Sequence, residues 1–316
     1  MSRPQILVVG SMNMDLMVYG VPRLPEYGVS VVCASYAYSL GGKGSNQALA
    51  AALQGAAVTL VGRVGEDDYG RTFIRELEKA GVNTDCIVVD SAAQTGLAPI
   101  MVNNEGKYVS YGIPGANTNL TEADVRKAFD SRSFDMVVMQ LEMPLEVVYR
   151  TYEIAAERNI PVFLDAGPAM HIPMDRLRGI FIVSPNEAET EALTGIKTDT
   201  DENILKAAQK LYDECSPRFV VLKLGHRGAL LYDGTASQFI PGFKVNAIDS
   251  TAAGDTFGAA LSISLCRGMS MESAVVYANA AAGICVTRKG AQPSIPTEAE
   301  VVHFIKERKE AGEIYV

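Results

Sequence analysis

The sequence has no long apolar run, no paired cysteines, no clustered histidines and no excess of positive charge. Each absence removes a class of function. Five cysteines (Cys33, Cys86, Cys215, Cys266 and Cys285) are scattered without a C-x-x-C pair. That pattern suggests neither a zinc site nor a disulfide framework, and reduced thiols in the cytoplasm are the simple reading. His171, His226 and His303 lie far apart in the chain, which weakens metal-site and Ser-His-Asp readings. A net charge of −9 argues against nucleic acid or an anionic membrane as partner, since both reward a basic surface. The N-terminal Met1-Ser2-Arg3-Pro4 leads into a short apolar run and then Asp15, too short for a signal peptide. The longest membrane candidate, Ala274 to Val286, contains Asn279 and several small residues and reads as a buried helix.

What is present is material for a sizeable core: 316 residues, 48% of them apolar, enough for one large α/β domain with a small appendage. Short apolar segments alternate with helical ones. Strands are expected at Ile6–Gly10, Val58–Gly62, Met136–Met139, Val162–Asp165, Ile180–Val183 and Phe219–Lys223, with apolar residues on consecutive positions, as in parallel strands covered on both faces. Asp68 can cap a helix that stops at Gly81, Thr121 with Asp124 makes a capping box, and Gly195 follows a helix beginning near Asn186. From Asp255 onward the chain reads as helical: Asp255–Arg267, Met271–Thr287 and Glu298–Ala311. The fold class expected is α/β, a doubly wound and mostly parallel sheet flanked by helices, with ligands at the carboxyl ends of its strands.

Two stretches break the rhythm. Val29 to Leu40 is β-rich with no helix after it, and Ala98–Val102 with Tyr108–Tyr111 looks like a hairpin across Asn103-Asn104-Glu105-Gly106. With Met14–Tyr19 they would form either a small sheet acting as a lid or an extension of the main sheet's edge. The lid reading divides the chain into a main domain (1–13, 42–96 and 116–316) and a β-sheet lid (14–41 and 97–115).

Five signals could carry chemistry. Asp249-Ser250-Thr251-Ala252-Ala253-Gly254-Asp255 precedes a helix; its small residues leave room for backbone N–H groups to converge on an anion beside a carboxylate. Phosphoryl transfer asks for that pair of functions, although Asp255 could equally be an ordinary helix cap. Gly41-Gly42-Lys43-Gly44-Ser45-Asn46-Gln47 opens an alanine-rich helix. It is not a Walker A loop, and Gly10-Ser11-Met12-Asn13 is not a dinucleotide fingerprint, which disfavours an NAD-dependent dehydrogenase. Asn13 and Asp15 could clamp neighbouring hydroxyls or sit in a solvated turn. Asn186 and Glu189 are three apart on a helix and could face one hydrated Mg²⁺ or merely solvent. Gly225-His226-Arg227-Gly228 follows the strand ending at Lys223 and could receive phosphates or be a plain loop.

Taken in order, these motifs together with Gln140-Leu141-Glu142 and the Thr287-to-Ser294 segment resemble the PfkB carbohydrate kinases, and among them the ribokinases most. The resemblance spans essentially the whole chain. It implies an ATP-dependent kinase of the primary hydroxyl of a pentose, D-ribose foremost, with 2-deoxyribose, another sugar or a nucleoside as alternative acceptors. A non-catalytic sugar-binding protein is the remaining alternative. By the same resemblance Asp255 is the catalytic base, and Gly254 with Ala253 and Ala252 forms the anion hole. Asn13, Asp15, Gly41, Gly42, Lys43, Asn46 and Glu142 contact the sugar. Asn186, Lys223, Gly225, His226, Arg227, Gly228 and Asn279 lie near ATP, with Asn186 and Glu189 toward Mg²⁺ through water. Asp249, Thr251, Cys285, Arg288, Gly290 and Ser294 match the site of an activating K⁺. The lid would also pair two subunits into a homodimer. Asp165-Ala166-Gly167-Pro168 departs from the Asn-Pro-Ala-Pro typical of ribokinases, and Ile113-Pro114 departs in the lid.

Overall fold

A computed structural model describes residues 3–105 and 108–312; Met1, Ser2 and Gly106 of the expected hairpin turn lie outside the described residues. The strands are β1 (Gln5–Val9), β2 (Asn13–Val21), β3 (Ser35–Gly41), β4 (Ala57–Gly65), β5 (Ile87–Asp90), β6 (Gly96–Asn103), β7 (Tyr108–Ser110), β8 (Met136–Met139), β9 (Val162–Asp165), β10 (Ile182–Ser184), β11 (Phe219–Lys223), β12 (Ala229–Tyr232) and β13 (Ser237–Ile240). The helices are α1 (Lys43–Leu53), α2 (Asp68–Lys79), α3 (Glu122–Ser131), α4 (Leu145–Glu157), α5 (Glu187–Thr194), α6 (Asp201–Cys215), α7 (Ala253–Cys266), α8 (Met271–Cys285) and α9 (Glu298–Glu310).

Among the described residues, nine strands form one sheet in the order β13-β12-β11-β10-β9-β8-β1-β4-β5. Pairing is parallel from β5 to β11, and the β11–β12 and β12–β13 pairs at one edge are antiparallel. Successive side chains of a strand point to opposite faces, and here both faces are covered. Ile6, Val8 and Phe163 pack into a core layer with residues of α1, α7 and α8. Leu7, Val9 and Leu164 pack into the other layer, with α3, α4, α5 and α6. Burial on both sides is why the strands read as unbroken apolar runs. The doubly wound sheet expected from the sequence is the one observed.

The second sheet, β3-β2-β6-β7, is the lid. β2 pairs antiparallel with β3 and parallel with β6, and β6 pairs antiparallel with β7. It is not an extension of the main sheet's edge. Its strand β3 is shorter than the β-rich run suggested: Val29 to Ala34 is irregular and Val32 is almost fully exposed. Tyr19 accepts from the Ala34 N–H (2.9 Å), but no ladder continues before Ser35, and β-prone residues without a partner strand have nothing to pair with.

Three boundaries differ from expectation for identifiable reasons. Asp67, not Asp68, caps α2, because its carboxylate accepts from the Gly70 N–H (2.8 Å), the spacing a cap requires. Asp68 is the first helical residue and pairs with Arg71 at the surface. Strand β10 starts two residues later than the apolar run beginning at Ile180, and α7 starts at Ala253 rather than Asp255. The Thr121–Asp124 capping box and the left-handed Gly195 at the end of α5 are as expected.

Asp67 also accepts from the Thr95 N–H and hydroxyl, both at 2.7 Å. Burial disfavours its charge, but these bonds hold its pKa below the ordinary value. Asp67→Ala therefore leaves several donors unpaired. Urea unfolding at neutral pH should show a loss of about 1–3 kcal/mol, shrinking as pH falls through the carboxylate range.

Candidate active site

β1, β8, β9, β10 and β11 are parallel and end on one edge of the sheet. From that edge emerge Ser11 to Asn13, Gln140 to Glu142, Asp165, Asn186 and Lys223. The turn into α1 closes over it. Gly42 has φ 86°, and a Cβ there would lie 2.6 Å from the Asn13 nitrogen, so only glycine lets this turn run against the β1–β2 junction. Glu142 ties the junction together. Its Oε2 accepts from Ser11 Oγ (2.5 Å), the Lys43 N–H (3.0 Å) and Asn13 Nδ2 (3.4 Å). Asn117, which no sequence signal marked, braces the same point. It accepts from the Met12 N–H (2.9 Å) and donates to Asn13 Oδ1 (2.8 Å). Asp15 lies on β2, 9% exposed. Burial first, then the negative charges of Glu142 and Asp255, push its pKa up to about 7.

Asp255 is not a helix cap. It occupies the first turn of α7, after Ala252, which takes the left-handed φ of 60°, a strained conformation for a residue with a Cβ. No side chain caps this end, so N–H groups of the first turn face the same edge as the Asp255 carboxylate. The Ala253 N–H is already given to Ser250 O (3.2 Å). Asn46 Nδ2 donates to Asp255 Oδ2 (2.9 Å), and Gln47 Nε2 to its Oδ1 (3.3 Å). Asn46 Oδ1 is buried with no protein partner among the described residues. Burial raises the Asp255 pKa to about 6. Lys43 opposes that rise, and the charges of Asp165 and Glu142 add to it.

Behind Asp255 lies a buried ionic knot. Asp165, fully buried, pairs with Lys223 through Oδ1 and with Lys43 through Oδ2 (3.3 Å), and its Oδ2 also accepts from Gln47 Nε2 (3.0 Å). Glu189 stands 3.8 Å from Lys43 and 3.9 Å from Lys223. Burial works against the Lys43 ammonium, but Asp165, Asp255, Glu189 and Glu142 outweigh it and hold its pKa well above normal. Lys43, Asn46 and Gln47 share a face of α1 at helical spacing. Gln47 and Gln140 (Gln140 Nε2 to Gln47 Oε1, 2.6 Å) lay inside motifs read from the sequence but received no role there.

The remaining expected residues divide. Asn186 and Glu189 form a capping box, each side chain accepting from the other's N–H at 2.9 and 2.7 Å. That occupies part of their acceptor capacity, and Glu189 is buried rather than solvent-facing. Gly225 to Arg227 form a short 3₁₀ turn, closed at Gly228 with φ 95°. The Arg227 guanidinium bonds Asp201 (3.2 Å) and Thr198 O (3.3 Å), while His226 is exposed. Asn279 donates to Ile240 O and Pro241 O at 3.3 and 3.2 Å. The expected cation residues do converge. Asp249 accepts from the Thr251 N–H and hydroxyl (2.9 and 2.6 Å) and the Gly290 N–H (2.9 Å). Cys285 Sγ lies 3.5 Å from Thr251 O and 3.0 Å from Ser294 Oγ. Arg288 points to Glu300 (2.6 Å), leaving only its backbone. Asp249, the Thr251 carbonyl and the Ser294 hydroxyl bring oxygen atoms to this place, while Cys285 brings a sulfur. Among the described residues no group of three or more His, Cys, Asp or Glu is placed to hold a metal.

Residues 3–298 match the model of the pfkB family of carbohydrate kinases, and the chain belongs to that family. It is 36% identical to a ribokinase of Haemophilus influenzae, over 96% of this chain and 99% of that one. It is 34% identical to a deoxyribokinase of Salmonella typhi, over 92% and 95%. Ribokinase of Arabidopsis thaliana, solved with ribose and ATP, superposes with a TM-score of 0.88 at 32% identity, covering 96% of this chain and 99% of that one.

The raised pKa of Asp15 has a consequence for stability. Folding favours its protonated form, so the stabilisation is present at low pH and lost as pH rises through about 7. Asp15→Asn, measured without ligands, should raise Tm more at pH 8 than at pH 5, where the wild-type carboxyl is already neutral.

Proposed function

We propose that this kinase transfers the terminal phosphoryl group of ATP to the primary hydroxyl of a pentose, with D-ribose giving ribose 5-phosphate. The observation that carries the reading is Asp255: buried, oriented by Asn46 and Gln47 from the acceptor-side helix, and set in the uncapped first turn of α7. A hydroxyl bonded to Asp255 loses its proton to the carboxylate as its oxygen attacks phosphorus. The N–H groups of Gly254 and Asp255, with the helix dipole, stabilise charge on the moving phosphoryl. Asp15, Glu142 and Asn46 Oδ1 are acceptors that a polyhydroxylated ring can satisfy. Lined this way, the acceptor side suits a sugar better than a stacked nucleobase. The deoxyribokinase relative supports 2-deoxyribose as the second reading.

Mg²⁺ carried on the nucleotide would neutralise phosphate charge, with Asn186 and Glu189 receiving hydrogen bonds from its waters. K⁺ held by Asp249 and the carbonyls and hydroxyls around it would order the loop leading to Ala252. The five unpaired thiols fit a cytoplasmic enzyme. Closure of the lid over the acceptor would exclude competing water.

The lid also supports a homodimer. Leu16, Val18, Tyr36 and Tyr38 surround a hollow of about 460 Å³ on its outer face, with Tyr36 69% exposed. Sedimentation should give the mass of two chains for the wild type and of one for Tyr36→Glu; a wild-type monomer refutes this pairing.

The activity test is ADP release with Mg-ATP and K⁺ across ribose, 2-deoxyribose, fructose and nucleosides. Ribose should give the highest kcat/KM, and a preference for another acceptor reassigns the substrate while keeping the chemistry. Asp255→Asn should lower kcat by about 10²–10⁴-fold with ATP binding retained; near-normal turnover would exclude Asp255 as the base.

A further inference from the structure

Lys223 is the last residue of β11, only 9% exposed. Its ammonium pairs with Asp165 and lies 3.9 Å from Glu189. It also reaches the loop that opens α7: a Cβ placed on Gly254 would come within 3.4 Å of Lys223 Nζ. The charge therefore stands beside Gly254 in the uncapped first turn of α7. A buried ion pair recovers little stability once desolvation is counted, so stability alone gives no reason for this one. An ammonium has three donors. The close pairing with Asp165 uses one and Glu189 stands further off, which leaves donor capacity on the side of Gly254.

We propose that Lys223 is a catalytic residue that contacts the transferred phosphoryl group, and that Asp165 is its positioning residue. The inference rests on the reading of Asp255 and the α7 turn given above. In the step, a bond forms between the acceptor oxygen and phosphorus while the bond from phosphorus to the bridging oxygen of ADP breaks. ADP leaves with that electron pair, and the hydroxyl proton passes to Asp255. Lys223 keeps its protons throughout and supplies positive charge where the equatorial oxygens gather it. Asp165 spans the site: one oxygen holds Lys223 at the α7 turn, and the other holds Lys43 and Gln47 on the acceptor side. Its carboxylate thus sets the spacing between the phosphoryl-binding charge and the base, since Gln47 also donates to Asp255. Burial disfavours the ionised form of Asp165, but the two lysines outweigh that and hold its pKa below normal, consistent with a permanent anion.

Four single variants and one double variant test the proposal: Lys223→Met, Lys223→Gln, Asp165→Asn, Asp255→Asn and Asp165→Asn with Lys223→Met. Each is assayed for kcat, both KM values, and affinity for Mg-ADP with and without aluminium fluoride as the phosphoryl mimic. Lys223→Met should lower kcat by about 10²–10³-fold, with sugar KM within about twofold of wild type and loss of the affinity gained from aluminium fluoride. Lys223→Gln, which can still bond Asp165, should show the same loss and serves if the methionine variant fails to fold. Asp165→Asn should lower kcat by about tenfold, and the double variant should be as slow as Lys223→Met. Near-normal turnover of the Lys223 variants beside an inactive Asp255→Asn overturns this proposal alone. Recovery of activity in the double variant also overturns it, because the pair would then serve only mutual neutralisation. An active Asp255→Asn instead removes the reading beneath it.

Discussion

The structure depends on keeping several charges buried at one place. At the carboxyl edge of the sheet, Asp165 and Glu189 face Lys43 and Lys223, and Asp255 is joined to the same group through Gln47. These residues come from α1, β9, α5, β11 and α7, so no local segment could assemble them. Removing any single partner would leave an uncompensated charge in a dry site, the costly case for buried ions. The doubly wound sheet makes the assembly possible, because it brings the ends of parallel strands to one edge while both faces stay apolar.

Around that knot, backbone geometry does what side chains cannot. Gly42 lets the turn before α1 run against the β1–β2 junction, and the left-handed Ala252 swings the start of α7 toward the same edge. One turn therefore brings Lys43 to the edge and the other brings Asp255. The ionic knot holds both in register, since Lys43 follows the first turn and Asp255 the second.

Much of this was legible in the sequence for a physical reason: short apolar runs on consecutive positions have few folded solutions besides a covered parallel sheet. Motif order then located Asn13, Asp15, Lys43, Asn46, Glu142 and Asp255. What stayed hidden were the partners of these residues. Asn117 lies over a hundred positions from Met12, and its two bonds to that residue exist only after folding. Asp165 looked like a departure from a family pattern, and only its two lysines, 122 and 58 positions away, give it a purpose. Local boundaries slipped where competing neighbours were both plausible. Asp67 and Asp68 are chemically alike, and only one stands at the spacing that reaches the Gly70 N–H. The run from Val29 to Ala34 has strand composition, yet no partner strand was available to it.

The lid strand β2 begins at Asn13, with only three residues between it and the end of β1 at Val9. Asp15 thus belongs to the small sheet and Asp255 to a helix packed on the large one, and the charge of Asp255 adds to the rise of the Asp15 pKa. Burial is the main reason Asp15 holds its proton, so water admitted by a rotation of the small sheet would lower its pKa toward the ordinary carboxylate value.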